Sequence, residues 1–259
     1  TLYSATHKRK PMQQDIPLVM VHGLFGPLRF FQPSIRMSGI TVHTPDMLGY
    51  DARATQGALT LDIQANEIVR FLRALDAGPC HLLGHSVGGV VAILAAELAP
   101  QLVKNIISVE GNFTLDDAFM CRRIAPLSAA EWQLELQHIQ SQPAEWLIQG
   151  GISVTNERLQ MAHCILYNQS AATLQVIARS VVKETADPAY LDNVKKLMKY
   201  GMPLHLVAGS RSAEKWNVPE WVRQGAASSL VLADCGHMMM LENPDLFCNS
   251  LMELLYSSK

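Results

Sequence analysis

Six short runs along the chain are rich in apolar residues: Ile16–Val21, Ile40–His43, Cys80–Leu83, Val103–Val109, Pro203–Ala208 and Ser229–Ala233. Runs without polar alternation suit strands covered on both faces, as in a parallel sheet. Between them the period changes. Leu61–Leu75 places Ile63, Ile68, Val69, Leu72 and Leu75 on one helical face, and Val90–Leu98 is apolar enough for a buried helix. From Phe113 to Tyr200 no strand pattern stands out. The periodicity there predicts helices over Leu115–Ile124, Ala129–Gln140, Ala144–Gln149, Asn156–Tyr167, Ala171–Val182 and Ala189–Met198, with Ser128-Ala129-Ala130-Glu131 as a capping box. Leu246–Tyr256 closes the chain as an amphipathic helix.

Strands alternating with helices predict an α/β architecture, a mostly parallel sheet with helices on both faces. The helical stretch before Pro203 is too long for a simple crossover. It is read as an inserted cap over residues 113–200, with a core formed by 1–112 and 201–259. Open parallel sheets bind ligands beyond the carboxyl ends of their strands, so a cap inserted there roofs the site.

Composition narrows the function. At 259 residues the chain suits one domain with an insertion, and 49% hydrophobic with 17% charged residues is ordinary for a globular protein. A net charge of −2 gives no electrostatic case for nucleic acid or an anionic membrane. The basic cluster His7-Lys8-Arg9-Lys10 reads as a solvated strand end or loop. Five cysteines, odd in number and without C-x-x-C spacing, support neither a disulfide framework nor a zinc site, and fit a reducing cytoplasm. The start lacks a signal-peptide layout and no apolar run reaches transmembrane length. The chain opens on Thr1 rather than Met, which is compatible with a trimmed leader.

The sharpest chemical signal is Gly84-His85-Ser86-Val87-Gly88-Gly89, between the Cys80–Leu83 strand and the following helix. A Gly-flanked turn with Ser at its apex, joining strand to helix, is a nucleophile elbow. The five-residue pattern alone is not specific; the strand before it and the helix after it carry the weight.

With His22-Gly23-Leu24-Phe25-Gly26 after the first strand, Pro45-Asp46-Met47-Leu48-Gly49-Tyr50 after the second, the elbow, and Cys235-Gly236-His237 near the end, the chain resembles the alpha/beta-hydrolase fold over nearly its whole length. Few residues precede Ile16, so one or both of the leading antiparallel strands usual in that fold are expected to be missing or abbreviated. The resemblance makes Ser86 the nucleophile and His237 the general base. It adds an oxyanion hole built from the backbone N–H groups of Leu24 and Val87. It reads Asp46 as structural.

The third member departs from the common pattern. The loop after Pro203–Ala208 reads Gly209-Ser210-Arg211-Ser212-Ala213-Glu214, with Ser212 where an Asp is expected. Glu110, an acid ending an apolar strand at the ligand edge, is the preferred replacement, and Glu214 is the alternative. Candidates to line the pocket are His22, Phe25, His85, Phe113, Trp132 and Met238, together with Phe30, Trp146, Met161, Met239 and Met240; each is also a candidate for plain core. No metal or organic cofactor is implied.

The expected activity is hydrolysis of a carboxylic ester, thioester or lactone of a small to medium apolar substrate through an acyl-enzyme. C–C bond hydrolysis, lyase or acyl-transfer chemistry on the same residues is the alternative, as is a non-catalytic ligand-binding protein. Dehalogenase and epoxide hydrolase chemistry are disfavoured, because their elbow nucleophile is Asp. Substrate identity and oligomeric state stay open.

Overall fold

The apolar runs become strands in the structure, a computed structural model that describes residues 16–53 and 57–257; the basic cluster at positions 7–10 lies outside them. The strands β1 (Leu18–Val21), β2 (Val42–His43), β3 (Cys80–His85), β4 (Val103–Val109), β5 (Leu204–Gly209) and β6 (Ser228–Leu232) form one sheet in the order β2-β1-β3-β4-β5-β6. Every neighbouring pair is parallel. From β1 the chain moves outward through the short helix α1 (Pro33–Arg36) to β2, whereas from β3 it moves the opposite way to β4. The loops leaving β1 and β3 therefore diverge, which opens a crevice between them. Leu24 and Ser86 stand on those two loops.

Alternate strand residues feed two cores. Val19, Val21, Leu82, Ile106 and Leu206 pack into one cluster with α2 (Leu61–Leu75) and α3 (Val87–Leu98). Leu18, Met20, Leu83, Ile107 and Val207 point the other way, onto Phe247, Leu251 and Leu255 of the closing helix, Pro244–Ser257. This two-sided burial explains why the central strands read as predominantly apolar runs rather than alternating ones. β2 is shorter than its run predicts because it is the half-buried edge of the sheet.

Helices fill the stretch between β4 and β5. In order they are α4 (Phe119–Ile124), α5 (Ala129–Ser141), α6 (Pro143–Gln149), α7 (Asn156–Leu166), α8 (Ala171–Ala186) and α9 (Pro188–Lys199). The single helix expected at 115–124 is instead a 3-10 turn followed by α4. The Asp117 carboxylate closes that turn by accepting the N–H groups of Phe113 and Thr114. The capping box at Ser128 forms as expected, with Glu131 N–H donating to the Ser128 hydroxyl.

The two halves of this stretch pack differently. Leu147, Ile152, Met161 and Ile165 of the α6–α7 region make their own cluster with Leu241. Leu174, Ile177 and Val181 of α8, with Tyr190 and Val194 of α9, belong to the main core alongside α2 and α3. Among the described residues no helix is long and apolar enough to cross a membrane.

Candidate active site

Ser86 sits between β3 and α3 with φ 52° and ψ −120°, a conformation rare for a residue with a side chain. The neighbouring glycines explain how the turn closes. A Cβ on Gly84 would lie 2.2 Å from the Gly88 carbonyl oxygen, and one on Gly88 would lie 2.3 Å from that of Val21. Neither contact is possible for a real side chain, so only glycine lets β1, β3 and α3 converge beneath Ser86. Val87 is the first residue of α3, where a backbone N–H has no acceptor within the helix.

His237 stands on the loop after β6, and its Nδ1–H donates to Glu110 Oε2 over 2.7 Å. Glu110 ends β4 in the left-handed region, φ 42°, and is 5% exposed. Its other oxygen, Oε1, accepts from Gly209 N–H at 2.8 Å and from the Ser212 hydroxyl. Burial alone would raise the carboxyl pKa. The hydrogen bond and charge of His237, then Ser212 and Gly209, outweigh burial and leave it below the usual carboxylate value. Ser212, at the position where an acid was expected, is thus a donor to the acid that stands on the neighbouring strand. Glu214 lies exposed on the 3-10 turn Ala213–Lys215, and Nδ1 of His237 faces Glu110 instead.

The His237 loop is itself tied down. Glu242 Oε1 accepts Gly236 N–H at 2.8 Å, and its Oε2 pairs with Arg211 at 2.6 Å. Arg211 also donates to the Asp234 carbonyl. An imidazole on a loop held this firmly keeps little orientational freedom.

Ser86 and His237 line one cavity of about 460 Å³, with Leu24 and Val87 beside them and Phe119 and Trp146 of the helical stretch opposite. Phe25, His85 and Met238 also line it. His22, Phe113 and Trp132 do not. His22 is buried behind the β1 loop, Phe113 packs against Trp216, and Trp132 is 1% exposed with its Nε1–H bonded to the Ala171 carbonyl. Size and apolarity could not separate these from true lining residues. Asp46 pairs with Arg29 at 2.6 Å, away from the cavity. The sequence reading missed Asn112, Asp117, Arg123 and Gln149, the polar lining. Among the described residues no group of three or more His, Cys, Asp or Glu is arranged to hold a metal ion.

Two buried histidines brace the site. His22 Nδ1–H donates to the Gly23 carbonyl at 2.8 Å and Nε2 accepts Met47 N–H at 3.1 Å, which fixes one neutral tautomer. His85 Nε2–H donates to the His237 carbonyl at 3.0 Å. Burial pulls the His22 pKa down to about 4 against the raising effects of Gly23 and Asp46. Burial, then the adjacent His237, takes His85 to about 3. Both folded values lie below the unfolded value of 6.5, so the unfolded chain binds more protons between them. Their stabilising contribution is complete above pH 6.5 and is lost as the pH falls toward 4 and 3. Well below 6.5 the loss is roughly 2–3 kcal/mol per pH unit for the pair. Urea titrations from pH 7.5 to 5 check this, and an unchanged unfolding free energy would reject it.

Comparison with known proteins bears on the family and the fold. A family model described as "Alpha/beta hydrolase family" matches residues 18–249. The chain is 30% identical over 152 residues to "Putative carbamate hydrolase RutD" of Serratia proteamaculans, covering 55% of this chain and 57% of that protein. Curated relatives are matched over about a quarter to just over half of their own length. Among solved structures, MenH from S. aureus superposes with a TM-score of 0.75 at 17% identity, covering 95% of both chains. A thermophilic esterase from Thermogutta terrifontis gives 0.71 at 18%, covering 95% of this chain and 91% of the other. At such identities the two structures speak for the fold.

Proposed function

The chain belongs to the alpha/beta hydrolase family, and we propose that it is a serine hydrolase cleaving a carboxylic ester, thioester or lactone of a small to medium apolar substrate. The observation that carries this reading is the His237–Glu110 pair at 2.7 Å beside a cavity that Ser86 also lines. A serine hydroxyl is a weak nucleophile until a base takes its proton. In this scheme Ser86 Oγ attacks the substrate carbonyl, and Nε2 of His237 takes the hydroxyl proton. Glu110 holds the Nδ1–H tautomer and stabilises the imidazolium. The oxyanion is received by the N–H groups of Val87 and Leu24. The protonated His237 then gives its proton to the departing alcohol or thiol. Water, deprotonated by the same base, releases the acid from Ser86.

Residues 113–200 serve as the lid over a core made of the flanking segments, with α8 and α9 shared between lid and core. The apolar wall of Phe25, Phe119, Trp146 and Met238 favours an acyl or alcohol portion of hydrocarbon character. Carbamates, which the name of one relative suggests, present the same carbonyl to the same groups. All five cysteines are unpaired, which favours the cytoplasm.

An alkyl fluorophosphonate tests the reading. It is expected to label one serine, and peptide mass mapping is expected to place the adduct on Ser86. A label elsewhere, or none alongside measurable esterase activity, would reject the proposal.

A further inference from the structure

The loop after β1 that carries Leu24 is held from three sides. His22 Nδ1–H donates to the Gly23 carbonyl at 2.8 Å. The Tyr50 hydroxyl donates to the Leu24 carbonyl at 2.7 Å. Gly26 N–H donates to Gln169 Oε1 at 3.3 Å, and the Gln169 amide is itself fixed by donating to the Ile165 carbonyl at 2.9 Å. Leu24 lines the Ser86 cavity, and among the described residues no acceptor takes its N–H.

The two held carbonyls stand on either side of that N–H. The Gly23 carbonyl and the Leu24 N–H share one planar trans peptide, so anchoring the oxygen at one edge directs the N–H toward the other. The Leu24 carbonyl belongs to the next plane. The φ and ψ of Leu24 relate the two planes, and pinning both leaves neither torsion free. Tyr50 is the group that pins the second plane.

Tyr50 does this from outside the cavity, which it does not line. It is fully buried on the turn after β2, with its ring edge-on to His22 at 4.4 Å between centroids. Met47 N–H donates to His22 Nε2 at 3.1 Å, and Tyr50 N–H donates to the Met47 carbonyl at 3.3 Å. One turn thus supplies both the partner of His22 and the hydroxyl. Burial, then the nearby Cys121, raises the Tyr50 pKa well above its ordinary value of 10, so the hydroxyl keeps its proton near neutral pH.

We infer that Tyr50 is a positioning residue for the oxyanion hole: through the Leu24 carbonyl, its hydroxyl keeps the Leu24 N–H aimed at the substrate oxygen that gains charge. A donor fixed beforehand needs no reorganisation as that charge develops, whereas one free to swing loses part of the stabilisation. The effect belongs to the tetrahedral state, because the uncharged carbonyl asks less of the donor. The inference rests on the serine hydrolase reading.

Tyr50→Phe removes the hydroxyl and keeps the ring. Two ketones separate its effect on the tetrahedral state from an effect on binding. With trifluoromethyl pentyl ketone, Ser86 Oγ adds to the carbonyl carbon, its proton passes to His237, and the carbonyl oxygen becomes an alkoxide in the oxyanion hole. Methyl pentyl ketone has nearly the same shape and stays a ketone. The variant is expected to hydrolyse p-nitrophenyl butyrate with kcat about tenfold lower and KM within about twofold of native. It is expected to bind the trifluoromethyl ketone about tenfold more weakly and the methyl ketone within about twofold of native. Tyr50→Met, whose flexible side chain refills the space, serves the same purpose should the phenylalanine variant fail to fold. Active sites are counted with the alkyl fluorophosphonate, so that a partly inactive preparation does not pass for a slow one. Equal weakening of both ketones, a raised KM at native kcat, or native values throughout in a folded variant would overturn this inference alone. Native protein that neither hydrolyses the ester nor binds the trifluoromethyl ketone more tightly than the methyl ketone would remove the hydrolase reading, and this inference with it.

Discussion

Glu110→Gln is expected to lower kcat by about four orders of magnitude with the fold intact. The two carboxylate oxygens have different partners, and that difference decides the outcome. Oε1 is held by two donors, Gly209 N–H and the Ser212 hydroxyl. A glutamine must turn its carbonyl oxygen toward them, because its amide group would oppose both. The NH2 then faces His237 Nδ1, where the native protein has an acceptor. Nδ1 is forced to accept, the ring proton moves to Nε2, and no lone pair remains there to take the Ser86 proton. Steady-state kinetics on a short p-nitrophenyl ester, with thermal unfolding as the control, measure the effect. Glu214→Gln in the same assay is expected to stay within about twofold of the native rate, since that side chain is exposed on the 3-10 turn. The reverse result, a collapse at 214 and near-normal turnover at 110, would assign the acid to Glu214.

Ser86→Ala and His237→Ala are each expected to remove about five to six orders of magnitude from kcat, and the double variant is expected to be no slower than either. The reason, on the proposed mechanism, is that nucleophile and base act as one unit. Without the hydroxyl the imidazole has no proton to take, and without the imidazole the hydroxyl remains protonated. Independent contributions would multiply, so a double variant slower than both singles by the product of their effects would show that the two do not act in one step. A residual rate above the uncatalysed one is expected from the N–H groups of Leu24 and Val87, which survive both substitutions.

Much of this protein was legible before the structure. The sheet announced itself because its central strands are buried on both faces, so Leu18 through Val21 carry no polar residue and Cys80 through Leu83 only the buried His81. The elbow was legible because only glycine at 84 and 88 lets the backbones close. The partner of His237 was readable as a preference, since an acid ending an apolar strand is unusual, but a loop at 209–214 has no period from which its course can be read. The pocket wall was the least legible part. Phe25 and Phe113 are alike in sequence, and only packing sends one to the cavity and the other against Trp216. Asn112 went unremarked because a lone asparagine after a glycine reads as a turn residue; its place on the cavity wall exists only in three dimensions.

The placement of the acid at the end of β4 also bears on how the site is assembled. Ser86 follows the first strand and Glu110 the second of a single strand–helix–strand crossover, β3-α3-β4, whose register pairs His85 with Val109. Serine and carboxylate are therefore positioned by one local parallel pairing, and His237, 127 residues beyond Glu110, must be delivered from afar. An acid in the loop after β5 would have required two long-range arrivals. Here one crossover sets two of the three groups, and one slip in its register would misplace both together.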